Sequence, residues 1–186
     1  RNWWGGGVVI PGRGFIMNNT MADFSPKVGV RTTQGLAYGM ANAVRPGKTP
    51  LSSMSPTIVM KDGKPLLSVG AAGGPRIITS TLQLIINSID YGMMMDSAVR
   101  HPHMCCLTLD QGLELEEGFS PDTVKLLEQK GHTIKSTGDF GVLLVLPNGI
   151  RNENGTFLPG GTSRVDGGGG VLTEDGTIAI DGLCFL

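Results

Sequence analysis

Apolar residues fall along this chain in short clusters separated by glycine and proline. Val8-Val9-Ile10 and Phe15-Ile16-Met17 flank Pro11-Gly12-Arg13-Gly14, a pattern that predicts two short strands and a turn within residues 5 to 17. From Asn18 to Pro50 the apolar positions scatter among Gly, Asn, Pro and Thr. A loop that long inside a compact domain points to function. Thr57 to Lys61 and Pro65 to Val69 then bracket Asp62-Gly63, the strongest short hairpin signal. The second strand runs into Gly70-Ala71-Ala72-Gly73-Gly74, and Pro75 suits the first position of a following helix. Ile77, Ile78, Leu82, Ile85, Ile86 and Ile89 keep a helical period up to Tyr91, where Gly92 supplies a stop. A shorter helix is predicted around Asp96 to Arg100, closed by Pro102. Ser120-Pro121-Asp122 opens a third as N-cap, first residue and first-turn acid, and Gly131 ends it. Val142 to Leu146 reads as a buried strand and Thr177 to Ile180 as the last one. Strands, then helices, then strands predict a layered α/β (α+β) domain rather than a sequential βαβ fold, spanning 1–186 as one unit.

Composition narrows the classes. Of 186 residues, 40% are hydrophobic and 17% charged, which excludes a disordered polyampholyte. Fifteen basic against sixteen acidic residues leave a net charge of −1, so no broad basic face exists for nucleic acid. The 29 glycines and 11 prolines are dispersed among apolar segments, so they mark tight turns; only Gly167 to Gly170 resembles low complexity. No apolar run approaches the roughly 20 residues of a membrane helix. Arg1-Asn2-Trp3-Trp4-Gly5 lacks signal-peptide character and an initiating Met, from which the chain is expected to begin inside a longer gene product. Cys105, Cys106 and Cys184 make no disulfide framework. His101, His103, Cys105 and Cys106 lack a second pair at metal-ligand spacing, so neither metal nor cofactor is expected.

Three segments carry candidate chemistry. At Gly73-Gly74 a strand passes through glycines into a helix, an arrangement that exposes backbone N–H groups and the helix's positive end. A P-loop would need Lys-Ser/Thr after the glycines, and Pro75-Arg76 follows instead. What remains is an oxyanion hole or a plain tight turn. Ser52, Ser53 and Ser55 between Pro50 and Pro56 fit either a carboxylate-binding loop or an ordinary Ser-rich turn. Asp23, close to Asn18, Asn19 and Thr20, is suited to gripping an ammonium group or to capping its own backbone. No Ser–His–Asp or Cys–His set can be assembled.

In order, these segments resemble the small subunit of the gamma-glutamyltransferases (gamma-glutamyltranspeptidases), which are N-terminal-nucleophile hydrolases. The likeness runs from Trp4-Gly5 through Gly14-Phe15-Ile16-Met17-Asn18-Asn19 and Met21-Ala22-Asp23-Phe24-Ser25 to Ala41-Asn42-Ala43-Val44 and Pro46-Gly47-Lys48. Its most specific block is Pro50-Leu51-Ser52-Ser53-Met54-Ser55-Pro56-Thr57-Ile58. Lys61-Asp62-Gly63-Lys64, Gly73-Gly74, Arg76-Ile77-Ile78, Ile89-Asp90-Tyr91-Gly92 and Gly118 to Thr123 follow. Past His132 it thins, and residues 171–186 extend beyond the usual ending as a candidate extra strand.

The resemblance implies an αββα sandwich shared by two chains cut from one autoprocessing precursor, so the partner is a large subunit. It implies hydrolysis or transfer of gamma-glutamyl groups from glutathione and similar amides to water, an amino acid or a peptide, in a periplasmic or extracellular setting. An N-terminal Thr would be the nucleophile, its own α-amine the base. That Thr lies upstream of Trp-Gly in the family, and therefore upstream of this chain. By motif, Gly73 and Gly74 would form the oxyanion hole, Ser52 and Ser53 would hold the substrate α-carboxylate, and Asp23 the α-ammonium. Arg1 and Thr20 stand where the family has Asn or Glu, and Gln or Glu, against the same ammonium; Gln34 stands where some bacterial members have a lid Tyr. Pro75 and His103 replace a small residue and an Arg. The changes at Arg1, Thr20 and Gln34 motivate one alternative, an acylase on a glutaryl or poly-gamma-glutamyl amide, and the nucleophile's position upstream of this sequence motivates another, a catalytically dead homologue.

Overall fold

The computed structural model describes residues 5–32, 36–136, 145–164, 169–172 and 178–181. Its contacts divide the chain into two compact units, Arg1–Ser52 and Ser53–Leu186, each taken here by itself.

The first unit has little regular structure. The strands expected within residues 5 to 17 reduce to one antiparallel bridge, Val9 to Ile16, supported by Met17 N–H donating to Val8 O at 2.8 Å. Left-handed backbone at residues 7, 12 and 14 interrupts the extended run on both arms, so the pleat cannot continue. The segment from 18 onward carries two 3-10 turns, Thr20–Asp23 and Met40–Asn42, and a parallel bridge between Ser25 and Ala43. Among its described residues, Phe24, Ser25 and Asn42 are buried.

The second unit is a layered α+β structure. Strands β1 (Thr57–Lys61) and β2 (Lys64–Ala72) form the expected hairpin, with Asp62 and Gly63 both at positive φ (51° and 75°), as the two-residue primed turn requires. Beside β2 lies β6 (Leu146–Glu153), and beside that β7 (Thr156–Gly160), giving an antiparallel sheet in the order β1-β2-β6-β7. Of the strand expected at Val142 to Leu146, residues 142–144 lie outside the described residues; Val145 is buried and Leu146 opens β6. Helices α1 (Ile77–Ile89) and α2 (Met95–Arg100) cover one face of this sheet, and Leu67, Val69, Leu84, Met95, Ala98 and Val99 are the core between them. A smaller sheet, β3 (Met104–Cys105), β4 (Leu113–Leu115) and β5 (Ile134–Ser136), follows, with α3 (Pro121–Gln129) between β4 and β5. The Ser120 hydroxyl caps α3 by accepting from Thr123 N–H at 3.1 Å. β8 (Gly169–Leu172) pairs with β9 (Ile178–Asp181), where the last strand was expected.

Two details refine the helix prediction. α1 begins at Ile77, after a 3-10 turn at Gly74–Arg76, and ends at Ile89 rather than Tyr91, although Tyr91 N–H still reaches back to Ile86 O at 3.2 Å. Its buried residues are Ile77, Ser80, Thr81, Leu84 and Ser88, while Ile78, Leu82 and Ile89 are exposed. The helix is apolar on two sides and uses small hydroxyl residues to sit close to the sheet. α2 meets the sheet over two glycines. Gly149 of β6 and Gly160 of β7 are cross-strand partners, and a Cβ on Gly160 would lie 2.6 Å from Met95 O, one on Gly149 2.8 Å from Met95 Sδ. At Gly160 the obstacle is the backbone of α2's first turn, which leaves no room for a side chain; at Gly149 it is side-chain atoms of Met95 and Val69.

The other face of the four-stranded sheet carries exposed apolar side chains among the described residues. Ile58, Ser68 and Ile150 line up across β1, β2 and β6, and Ile58, Met60, Ile150 and Phe157 are all exposed.

Candidate functional site

The sequence-predicted residues fall into two groups, one in each unit. In the first unit, Thr20 and Asp23 are the two ends of a single 3-10 turn. Thr20 N–H donates to Asn18 Oδ1 at 3.0 Å, and Phe24 N–H to Met21 O at 3.3 Å, so local bonds shape the turn from both ends. Asp23 is half-buried. Its carbonyl accepts from Asn42 Nδ2 at 2.7 Å, and Asn42 Oδ1 accepts from Leu51 N–H at 3.0 Å. One buried amide thus joins the turn bearing Asp23 to the residue preceding Ser52. Sequence reasoning quoted Asn42 within a motif but gave it no role; an Asn in a Gly/Pro-rich loop looks like any turn residue.

Ser53 opens the second unit. Ser55 Oγ donates to Ser53 O at 3.1 Å and Thr57 Oγ1 to Ser55 O at 3.1 Å, each hydroxyl bonding two residues back along an irregular lead-in to β1. Ser53 is half-buried and Ser52 exposed.

Gly73 and Gly74 lie between β2 and α1, as expected. Their conformations explain the residue type: Gly73 has φ 146° and Gly74 φ 61°, both in the region that side chains avoid. The buried Pro75 fixes the next φ, and Arg76 closes the turn. Arg76 is itself held from the smaller sheet: Nε donates to Glu114 Oε2 at 2.8 Å and Nη2 to Glu114 Oε1 at 2.9 Å. This bidentate pair is largely buried and raises the guanidinium's pKa, the Glu114 hydrogen bond outweighing burial. The glycine turn therefore has the central strand behind it, a helix N-terminus ahead and an ion pair to the side. Backbone N–H groups in such a place can stabilise charge that develops on a substrate oxygen.

His103 has a different setting from that of a ligand. Its side chain lies against Arg164 and Glu116, both almost fully buried; Arg164 Nε donates to Glu116 Oε1 at 2.8 Å and Nη1 to Val99 O at 2.7 Å. Burial first, then the Arg164 charge, lowers the His103 pKa to about 4, so the ring is neutral at ordinary pH. Cys105 is buried, and burial pushes its thiol pKa up, away from a reactive thiolate. Among the described residues, no three His, Cys, Asp or Glu side chains come together as a metal site. Arg1 and Gln34 lie outside the described residues.

The sequence matches the model of the gamma-glutamyltranspeptidase family over residues 1–171. The chain belongs to that family. It is 49% identical over 149 residues to the glutathione hydrolase proenzyme of Escherichia coli, an alignment covering 78% of this chain and 26% of that protein. Among solved structures it is similar to a gamma-glutamyltranspeptidase T380A mutant from Helicobacter pylori, with TM-score 0.79 and 38% identity over 89% of each chain. It is equally similar to a gamma-glutamyltranspeptidase from Pseudomonas nitroreducens, with TM-score 0.79 and 34% identity over 92% of this chain and 90% of that one. The layered α+β architecture is accordingly that of a gamma-glutamyltranspeptidase, of the N-terminal-nucleophile hydrolase type. The chain spans about a quarter of the length of the curated relatives it matches.

Proposed function

We propose that this chain is the small subunit of a gamma-glutamyl hydrolase/transferase whose substrates are glutathione and other gamma-glutamyl amides. The observation that carries this is the glycine turn: two consecutive left-handed glycines between the central strand and the following helix, in a chain of this family. In this reading the hydroxyl of an N-terminal Thr, supplied by sequence preceding residue 1, attacks the gamma carbonyl carbon, and its proton passes to the Thr α-amine. The oxyanion so formed is met by the N–H groups of Gly73 and Gly74. Collapse breaks the C–N bond, the departing amine takes the proton, and a gamma-glutamyl ester remains. Water or an acceptor amine attacks that ester and restores the hydroxyl. Asp23 holds the substrate α-ammonium, while Ser52 and Ser53 hold its α-carboxylate. Thr20 and Arg1 complete the set of substrate-binding positions in this reading, with the substitutions noted above.

The partner in this proposal is a large subunit from the same precursor. The exposed apolar side chains of the sheet at Ile58, Met60, Ile150 and Phe157, together with those on the outer side of α1, support a second chain completing the layers. Export to the periplasm or cell exterior belongs to the same proposal and is checked by cell fractionation.

The deciding experiment is turnover of a chromogenic gamma-glutamyl anilide by the complete, processed two-chain protein, with a glutaryl anilide as comparison. Preferential release of the aniline from the gamma-glutamyl compound is expected. Preference for the glutaryl compound would instead favour the acylase alternative, and no turnover of either would leave a non-catalytic homologue.

A further inference from the structure

Asn42 is 6% exposed, and both ends of its side-chain amide are used. Nδ2 donates to Asp23 O and Oδ1 accepts from Leu51 N–H. Only one orientation of the amide meets a carbonyl with its donor and an N–H with its acceptor, so the assignment of N and O is fixed by the partners. The backbone of the same residue is also engaged: its N–H closes the 3-10 turn on Gly39 O at 3.1 Å, and its carbonyl accepts from Ser25 N–H at 2.9 Å. Four hydrogen bonds at one residue therefore tie together the turn carrying Thr20 and Asp23, the bridge at Ser25, its own turn and the chain entering Ser52.

The chemistry of the substrate gives this arrangement a purpose. In an amino-acid end the ammonium and carboxylate sit on one carbon, so the groups that grip them must be held at a fixed mutual distance. A flexible pair of loops would recognise each charge but lose the advantage of recognising both together. A planar amide spanning the two backbones supplies that rigidity. Asp has no donor for the Asp23 carbonyl, and Ala or Ser cannot reach both partners.

We propose that Asn42 is a positioning residue that fixes Asp23 and Ser52 relative to one another, and so sets the preference for substrates bearing an ammonium and a carboxylate on the same carbon. This rests on the functional reading above. Asn42 touches no reacting atom, and the glycine turn belongs to the other unit, so the effect falls on substrate recognition and not on the chemical step.

The test uses Asn42→Ala and Asn42→Asp in the complete, processed protein, assayed with gamma-glutamyl and glutaryl anilides. The glutaryl compound keeps the carboxylate but lacks the ammonium. For gamma-glutamyl anilide, KM rises about tenfold, the size expected for one lost hydrogen bond, while kcat stays within about twofold. The ratio of kcat/KM between the two anilides falls with it, because the compound without an ammonium has no contact with Asp23 to lose. Equal losses on both compounds, a fall in kcat at constant KM, or failure of both variants to fold would reduce Asn42 to a structural role and overturn the inference while the wild type remains active. A wild type that cleaves neither compound overturns the functional reading itself, and this inference with it.

Discussion

At the scale of single residues, Arg164 and Glu116 form a buried ion pair. Arg164 bonds to Glu116, Val99 O and His101 O with essentially no exposure, which leaves Glu116 dependent on it. Removing one partner strands a buried charge, so Arg164→Ala is expected to cost roughly 3–5 kcal/mol, read as a large drop in melting temperature. Replacing Arg164 and Glu116 together by Met is expected to cost much less, since neither charge is then stranded. His103, in contact with this pair, sets a pH dependence. Its pKa is near 4 in the folded chain against 6.5 ordinarily, so between those values the unfolded chain binds the extra proton. Stability therefore rises with pH across that window and is lost on acidification, by about 3 kcal/mol on reaching pH 4. Melting temperatures measured between pH 4 and 7 should fall less steeply for His103→Gln than for the wild type. An unchanged slope would mean that His103 does not cause it. None of this was legible in the sequence, where His103 looked like a departure from an Arg. His103 and Glu116 flank the paired strands β3 and β4, and Arg164 reaches them from far along the chain.

At the scale of elements, local signals succeeded where the chain itself decides the geometry. Asp62-Gly63, Ser120-Pro121-Asp122 and Gly131 each state their turn or cap in adjacent residues, and the structure follows them. β6 and β7 went unseen because Pro147, Asn148, Gly149 and Asn152 break the apolar alternation of a strand. The available signal was Asn154-Gly155, which turns the second hairpin with φ values of 54° and 96°. The glycines that obscured these strands are the ones that seat α2, since Gly149 and Gly160 face each other beneath Met95. Gly160→Ala would press its methyl group against the backbone at Met95 and not against a movable side-chain end. A loss of about 1–3 kcal/mol in unfolding free energy is expected, with KM for the gamma-glutamyl anilide unchanged. A fully stable variant would show that α2 can shift outward without cost. Of the candidate site, the sequence placed the glycine turn correctly between strand and helix, because that junction is local. The tie from Asn42 to both Asp23 and Leu51 was hidden, because it depends on loops that meet only in the folded unit.

At the scale of the whole molecule, the second unit is built around a pairing that is distant along the chain. β2 and β6 are neighbours at the sheet's centre, Ala72 beside Leu146, yet α1, α2, β3, β4, α3 and β5 all lie between them in sequence. α2 packs on β2 and α1 through Leu67, Val69 and Leu84, but the glycines beneath Met95 belong to β6 and β7, so the helix has no complete surface to rest on until those later strands arrive. During synthesis the first hairpin and α1 must then wait, apolar sides uncovered, for a strand that begins only at Leu146. Closing so long a loop before any compensating contacts form slows folding and prolongs exposure of the β2 edge to other chains. Dilution from denaturant should therefore give a yield that falls as chain concentration rises, whereas separately made segments 53–136 and 145–186 should recover little structure apart. If the late strands set the pace in this way, the timing of translation joins the final contacts in deciding how much folded chain is expected.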